Sequence, residues 1–326
     1  MDAHEGHGPR NPSAAIPARA TDSIRRTSSI DCHWPNGLGR DVIVIGRARD
    51  LRTESRDISA VIDDASVTAE IDYQSDRKVM NISSDPSIRD LDALIGVTAG
   101  PGFRRRVSEV APKEREARSP LHLLLDDIPV ALLVAAYALN QAGRSSHADF
   151  GFRVVANQCA GWASTGTMMQ AVRSTGRTPL LIGPHAPLLE SSPDLLALHP
   201  LQSLPVHGTR RLRLLDVSRV GDSLLCDAMF RDSYMSDELN ESVVHEYGLS
   251  AKVDENLVVT DVVASPRVLP WEECPSAALS VTKIIGQHVS DLRTFVRETL
   301  TGTSTCTHLN DLLRSLDDVV ALSQHV

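Results

Sequence analysis

The 326-residue chain has no Cys-x-x-Cys pair, no excess of positive charge, no long uninterrupted apolar run and none of the common catalytic or nucleotide-binding signatures. Each lack removes a class of protein. The five cysteines, Cys32, Cys159, Cys226, Cys274 and Cys306, are scattered and odd in number, which excludes a disulfide framework and suits a reducing compartment. A net charge of −9 argues against a general grip on phosphate backbones, so no nucleic-acid partner is expected. The basic run Arg104-Arg105-Arg106 reads as a solvated helix face. The most apolar stretch, Leu121 to Leu139, is interrupted by Asp126, Asp127 and Pro129, and reads as a buried core helix rather than a membrane span. No charged-then-apolar signal opens the chain; residues 1–24, rich in Pro, Ala, Gly and His, are expected to form a disordered tail, and the location is expected to be cytoplasmic. With no GxGxxG, Walker, HExxH, GxSxG or kinase pattern, no large cofactor is expected.

What is present is a soluble composition, 42% apolar and 23% charged, long enough for two domains. It also contains an internal echo. Arg25-Arg26-Thr27-Ser28-Ser29-Ile30-Asp31 returns as Arg210-Arg211-Leu212-Arg213-Leu214-Leu215-Asp216. Arg49-Asp50 is echoed by Arg231-Asp232, Ala69–Asp72 by Ala251–Asp254, Leu94-Ile95-Gly96 by Ile284-Ile285-Gly286, and Phe103-Arg104 by Leu292-Arg293. The offsets stay between 182 (231 − 49) and 190 (286 − 96), with the drift where loops absorb insertions.

Each half places strands before helices. Asp41–Gly46 is a β-branched run, Val67–Asp72 and Lys78–Ile82 form a hairpin, and residues 89–95 and 103–111 are helical. The second half repeats this with strands at 211–217 and 223–229, a hairpin of 249–254 with 257–263, and helices at 276–285 and 289–299. The expected fold is α+β: two related strand-then-helix units, 25–143 and 209–326, packed as a pseudo-two-fold pair, with an irregular connector over 144–208 as a candidate pocket wall.

Three motifs in the second half carry a resemblance: Val244-His245-Glu246-Tyr247, Trp271-Glu272-Glu273-Cys274-Pro275 and Cys306-Thr307-His308-Leu309. With the Arg-rich first strand they resemble the bacterial domain-of-unknown-function family 2889 over about 209–322. The Leu124–Ala131 and Cys159–Trp162 stretches resemble its longer versions. The first half departs from the pattern, with Ile62-Asp63-Asp64 in place of the motif His and Pro120-Leu121-His122-Leu123 in place of Cys-Thr-His-Leu. The resemblance implies bacterial origin, no settled activity and a loose association with breakdown of aromatic compounds.

Several residues are chemically suggestive. His122 and His308, each beside Leu at a helix start, are expected as acid/base groups from the two halves. Asp126 and Asp127 read either as an N-cap before Pro129 or as partner carboxylates with raised pKa in an apolar setting. Arg49, Tyr247, Trp162 and His245 are expected to bind substrate. Cys159 lacks a nameable base, so a nucleophilic role is disfavoured. His245, Cys274, Cys306 and His308 have the donor atoms for zinc, but their spacing matches no known motif.

The expected function is therefore a cofactor-independent enzyme of lyase or retro-aldol type, acting on a small apolar, aromatic molecule bound between the halves. The alternatives are a non-catalytic ligand-binding or scaffolding protein and, more weakly, a zinc protein. A monomer or homodimer is expected, because duplication places a dimer within one chain.

Overall fold

The computed structural model describes residues 4–5, 8–55, 57–142, 156–176, 178–189 and 194–326. The opening of the expected connector, 144–155, and tail residues 1–3, 6 and 7 lie outside the described residues.

Eight strands form one antiparallel sheet: β1 (Ser23–His33), β2 (Asp41–Ser55), β3 (Ile58–Asp72), β4 (Lys78–Asp85), β5 (Thr209–Val220), β6 (Ser223–Met235), β7 (Glu241–Val253) and β8 (Val259–Val268). Their order is β8-β7-β6-β5-β1-β2-β3-β4, so β1–β4 step outward to one side and β5–β8 to the other. β1 and β5 join the two runs, pairing from Ser23 with Ser218 through Cys32 with Thr209. Consecutive antiparallel neighbours need only short turns, which is why long hairpins dominate.

Helices cover one face of this sheet: α1 (Phe103–Val110), α2 (Pro112–Ala117), α3 (Pro120–Gln141), α5 (Leu292–Thr299), α6 (Thr307–Ser315) and α7 (Val319–Leu322). The segments expected as helices at 89–95 and 276–285 are 3₁₀ turns, Leu91–Leu94 and Cys274–Ile284. Strand alternation sorts the side chains, so that Val42, Val44 and Ala48 of β2 bury against Leu121, Leu124 and Phe103 in one core. Phe230, Tyr247, Leu249, Val296, Leu309 and Leu316 form the other. The Leu121–Leu139 stretch is the core helix expected: α3, though apolar and long enough to span a bilayer, is mostly buried.

Two expectations are corrected. Residues 8–22 are not a disordered tail but a strap on the sheet's second face: the Leu269 amide donates to the Pro9 carbonyl at 3.0 Å, the Asn11 amide donates to the Arg267 carbonyl at 2.9 Å, and Ile16 is buried beside Leu212, Leu214 and Met229. Backbone hydrogen bonds and one anchor side chain order a segment that has no apolar period. Asp126 and Asp127 are not a helix cap, because α3 begins six residues earlier, where the Ser119 hydroxyl accepts from the His122 amide at 3.1 Å, and Pro129 lies inside the helix.

The described connector includes α4 (Thr167–Thr175) and a 3₁₀ turn, Ala160–Trp162, that packs on the second core. A Cβ on Gly161 would stand 2.5 Å from Cys274 Sγ and 3.0 Å from Trp271. Gly161→Ala is therefore expected to lower stability by about 1–3 kcal/mol through overpacking, read as a lowered urea midpoint.

Candidate functional site

Pairing register places Arg211 of β5 opposite Asp232 of β6, and Asp232 opposite His245 of β7. All three therefore fall in one row on one face of the sheet. The pairing passes from Asp232–His245 to Ser233–Val243, so the unpaired Val244 bulges β7 beside this row. α6 starts at Thr307 above it and lays His308 against His245, with ring centroids 3.8 Å apart and planes at 21°. Asp232 Oδ2 lies 3.8 Å from His245 Nδ1 and 3.9 Å from His308 Nε2.

Asp232 is 0% exposed, while the two imidazoles retain 18% and 21% side-chain exposure, so the cluster is floored in the core and open at one edge. Arg211 forms the floor: its guanidinium sits 4.9 Å over the Phe230 ring, 3.3 Å from Asp232, and near Asp127 and Asp311. Burial pushes the Asp232 carboxyl up to about 6, against the pull of Arg211 and Arg213. Burial, with Arg211 beside it, pulls His308 down to about 3, and burial together with His308 holds His245 well below the usual imidazole range. At neutral pH the group is thus a carboxylate between two neutral imidazoles. His245 Nδ1 and Asp232 Oδ1 are buried with no hydrogen-bond partner.

The four-residue zinc set expected from sequence is brought together only in part. Cys306 Sγ is 4.0 Å from His308 Nδ1. Burial pushes the Cys306 thiol up to about 11 and the Cys274 thiol well above its usual range, and neither sulfur falls in the group of Asp232, His245 and His308 whose ligand atoms lie within 4.8 Å of one another. Asp232 takes the position those thiols were expected to fill. Sequence reading missed it as a site residue, although Arg231-Asp232 was already marked as an echo of Arg49-Asp50.

The other expected residues lie elsewhere. His122 is buried at the start of α3, both ring nitrogens lacking partners, and burial with nearby Arg293 pulls it down to about 4. No hydrogen bond, ion pair or ring contact joins it to His308 among the described residues. Asp126 meets Arg104, Arg293 and Arg314 at 3.1–3.4 Å. Burial alone would raise its carboxyl, but these guanidiniums hold it far below the carboxylate range, the reverse of a raised proton donor. Asp127 is paired with Arg213, with Nη2 to Oδ1 at 2.9 Å. Arg49 lies on the opposite sheet face, donating to the Leu196 carbonyl at 2.7 Å. Tyr247 is 0% exposed, its hydroxyl donating to the Cys274 carbonyl at 3.4 Å, and Trp162 packs half-buried on the second core.

The first half has a comparable row that ends differently. Arg26 lies opposite Asp50, and Asp50 opposite Asp63, with a register shift beside Asp50. Arg26 donates to both Asp50 oxygens at 2.7 and 2.6 Å, to the Arg118 carbonyl at 2.7 Å, and pairs with Asp318 at 3.1 Å. In that row Arg26 makes a two-point hydrogen-bonded pair with Asp50, and Asp63 stands where the Asp232 row has His245, so no imidazole faces the carboxylate.

No curated protein matches the chain. A solved structure described as a lipopolysaccharide binding protein aligns at 9% identity over 84% of this chain and 73% of that one, with a TM-score of 0.13, too low to carry any argument. The family comparison is more informative, because its span contains every residue of the Asp232–His245–His308 cluster: residues 208–322 match the model of the family described as a protein of unknown function, DUF2889.

Proposed function

We propose that the chain is a fused duplicate of one α+β module in which the first copy, within 25–143, is a brace and the second, within 209–326, carries an acid/base site for a small molecule. The duplication is supported by reciprocal ion pairs across the central strands. Arg25 pairs with Asp216 at 2.6 Å and Arg210 with Asp31 at 2.7 Å, and both partners shift by the same 185 positions (210 − 25 and 216 − 31). Reciprocity of this kind is what a two-fold relation between copies produces.

The observation that carries the functional reading is the convergence of Asp232, His245 and His308 from three separate elements on one partly open spot with unsatisfied polar atoms. A neutral imidazole accepts a proton, and the carboxylate beside it stabilises the resulting imidazolium. That pairing suits lyase or retro-aldol chemistry on a small apolar, aromatic molecule. The junction between the copies is read instead as scaffold, because Asp126, Asp127, Asp311, Asp317 and Asp318 fill it with arginine pairs.

Incubation with a panel of aromatic β-hydroxy ketones, followed by chromatography, tests the reading. Turnover of at least one compound is expected, with a loss of at least 100-fold in His245→Ala and His308→Ala that still melt cooperatively. Turnover at parental rates in both variants would remove the site from the reaction.

A further inference from the structure

We propose that Asp232, His245 and His308 bind one divalent transition-metal ion, of the zinc class, through two imidazole nitrogens and one carboxylate oxygen. The potential ligand atoms of the three residues all lie within 4.8 Å of one another. An ion bonded at about 2.1 Å requires ligand atoms about 3.4 Å apart in a tetrahedral site. The two carboxylate–imidazole spacings, 3.8 and 3.9 Å, need contraction by about half an ångström, and the two imidazoles, stacked at 21°, must rotate about their side-chain torsions to turn both nitrogens toward the ion.

The second observation is independent of spacing. Asp232 is 0% exposed with Arg211 as its cation at 3.3 Å, and the buried His245 Nδ1 beside it has no hydrogen-bond partner. Buried polar atoms without partners are uncommon in native proteins, and this nitrogen, facing a buried carboxylate, is where a further polar species would fit. Imidazole with carboxylate selects a first-row transition ion over magnesium or calcium, which prefer oxygen alone.

The surroundings have the form of a supporting shell. Arg211 approaches Asp232 at 3.3 Å and is itself fixed over Phe230 and beside Asp127 and Asp311. Cys306 Sγ stands 4.0 Å from the other nitrogen of His308. Partners of this kind orient ligands and set the imidazole tautomer. Three protein ligands and an exposed edge leave a coordination position for water or substrate, as in catalytic rather than structural zinc sites. The proposal departs from the expectation of a cofactor-free site. It stands on this geometry and does not depend on the acid/base reading, for which it would supply a metal-bound water as the base.

The test uses the full chain, stripped with a chelator and titrated with Co²⁺, followed by its visible d–d bands, and with Zn²⁺ by calorimetry. One equivalent of each is expected. His245→Ala and His308→Ala should each weaken binding at least tenfold, while His185→Gln, at an exposed histidine, should leave it unchanged. Asp232→Asn should weaken it too, and if that variant fails to fold the two histidine variants decide. Absence of both bands and heat in the parent, or unchanged affinity in both histidine variants, overturns the site. Metal binding without turnover of the hydroxy-ketone panel would sink the enzyme reading and keep the metal; turnover by a metal-free protein that takes up neither ion would do the opposite.

Discussion

Arg26→Met is expected to lower the stability of the chain by about 3–5 kcal/mol, read as a fall in the urea midpoint. Arg26 is 3% exposed and faces Asp50 at 2.6 Å and Asp318 at 3.1 Å, both buried. Removing the guanidinium leaves Asp50 in low dielectric with no cation and Asp318 with Arg293 alone, which costs more than the pair itself contributes. Arg26→Met combined with Asp50→Leu should recover part of the loss, because one orphaned charge goes with its partner. As a control, Arg105→Met, at a side chain 84% exposed and 3.9 Å from Glu109, should change stability by no more than about 0.5 kcal/mol. An Arg26→Met protein as stable as the parent would show that the central ion pairs are not what holds β1 in place.

The second large effect is a loss of stability on acidification, beginning near pH 6.5. His199 is 3% exposed, with its two ring nitrogens 2.9 Å from the Thr27 hydroxyl and 2.8 Å from the Ser29 hydroxyl; burial, then the charge of Arg49, pulls it down to about 3. His122 is pulled down to about 4, chiefly by burial. The unfolded chain titrates these groups near 6.5, so between that pH and their folded values it binds protons the native state refuses, and stability falls as pH falls. Each such histidine contributes a slope of up to about 1.4 kcal/mol per pH unit. His308 and His245 act in the same direction. Asp232, raised to about 6, opposes them, since its folded form holds a proton that the unfolded form releases between its ordinary value and 6. His199→Gln keeps a hydrogen-bonding side chain without the titration and should lose about 2 kcal/mol less than the parent between pH 7 and pH 5. Equal losses in parent and variant, measured by urea unfolding at both pH values, would show that His199 does not drive the acid transition.

The strand-then-helix order was legible because it rests on local rules. β-branched alternation set β2 and the two hairpins, and the apolar stretch from Leu121 set α3. Helix type was less legible, since Cys274–Ile284 has a helical apolar spacing yet closes as 3₁₀ turns. The strap of residues 8–22 was illegible, because its order comes from backbone bonds to β8 and not from its own pattern. Of the site, His245 and His308 were marked from their motifs, but Asp232 was known only as part of an echo. At Asp126 and Asp127 the composition shows carboxylates in an apolar run and conceals the arginines that neutralise them.

The sequence by itself determined part of the strands, which long helix is core, where the echoes fall and which histidines merit attention, since each depends on neighbours within a few positions, while the full lengths of β2, β3 and β7 came from pairing with distant strands. Only the tertiary structure decided that Arg25, Arg26, Arg210 and Arg211 are buried, that Asp126 and Asp127 are locked in ion pairs, and that Asp232 stands between two imidazoles. Burial and charge pairing depend on residues some 200 positions apart, as Arg104 and Asp311 are, brought together by a sheet whose two central strands come from opposite halves of the chain. No local pattern records that distance.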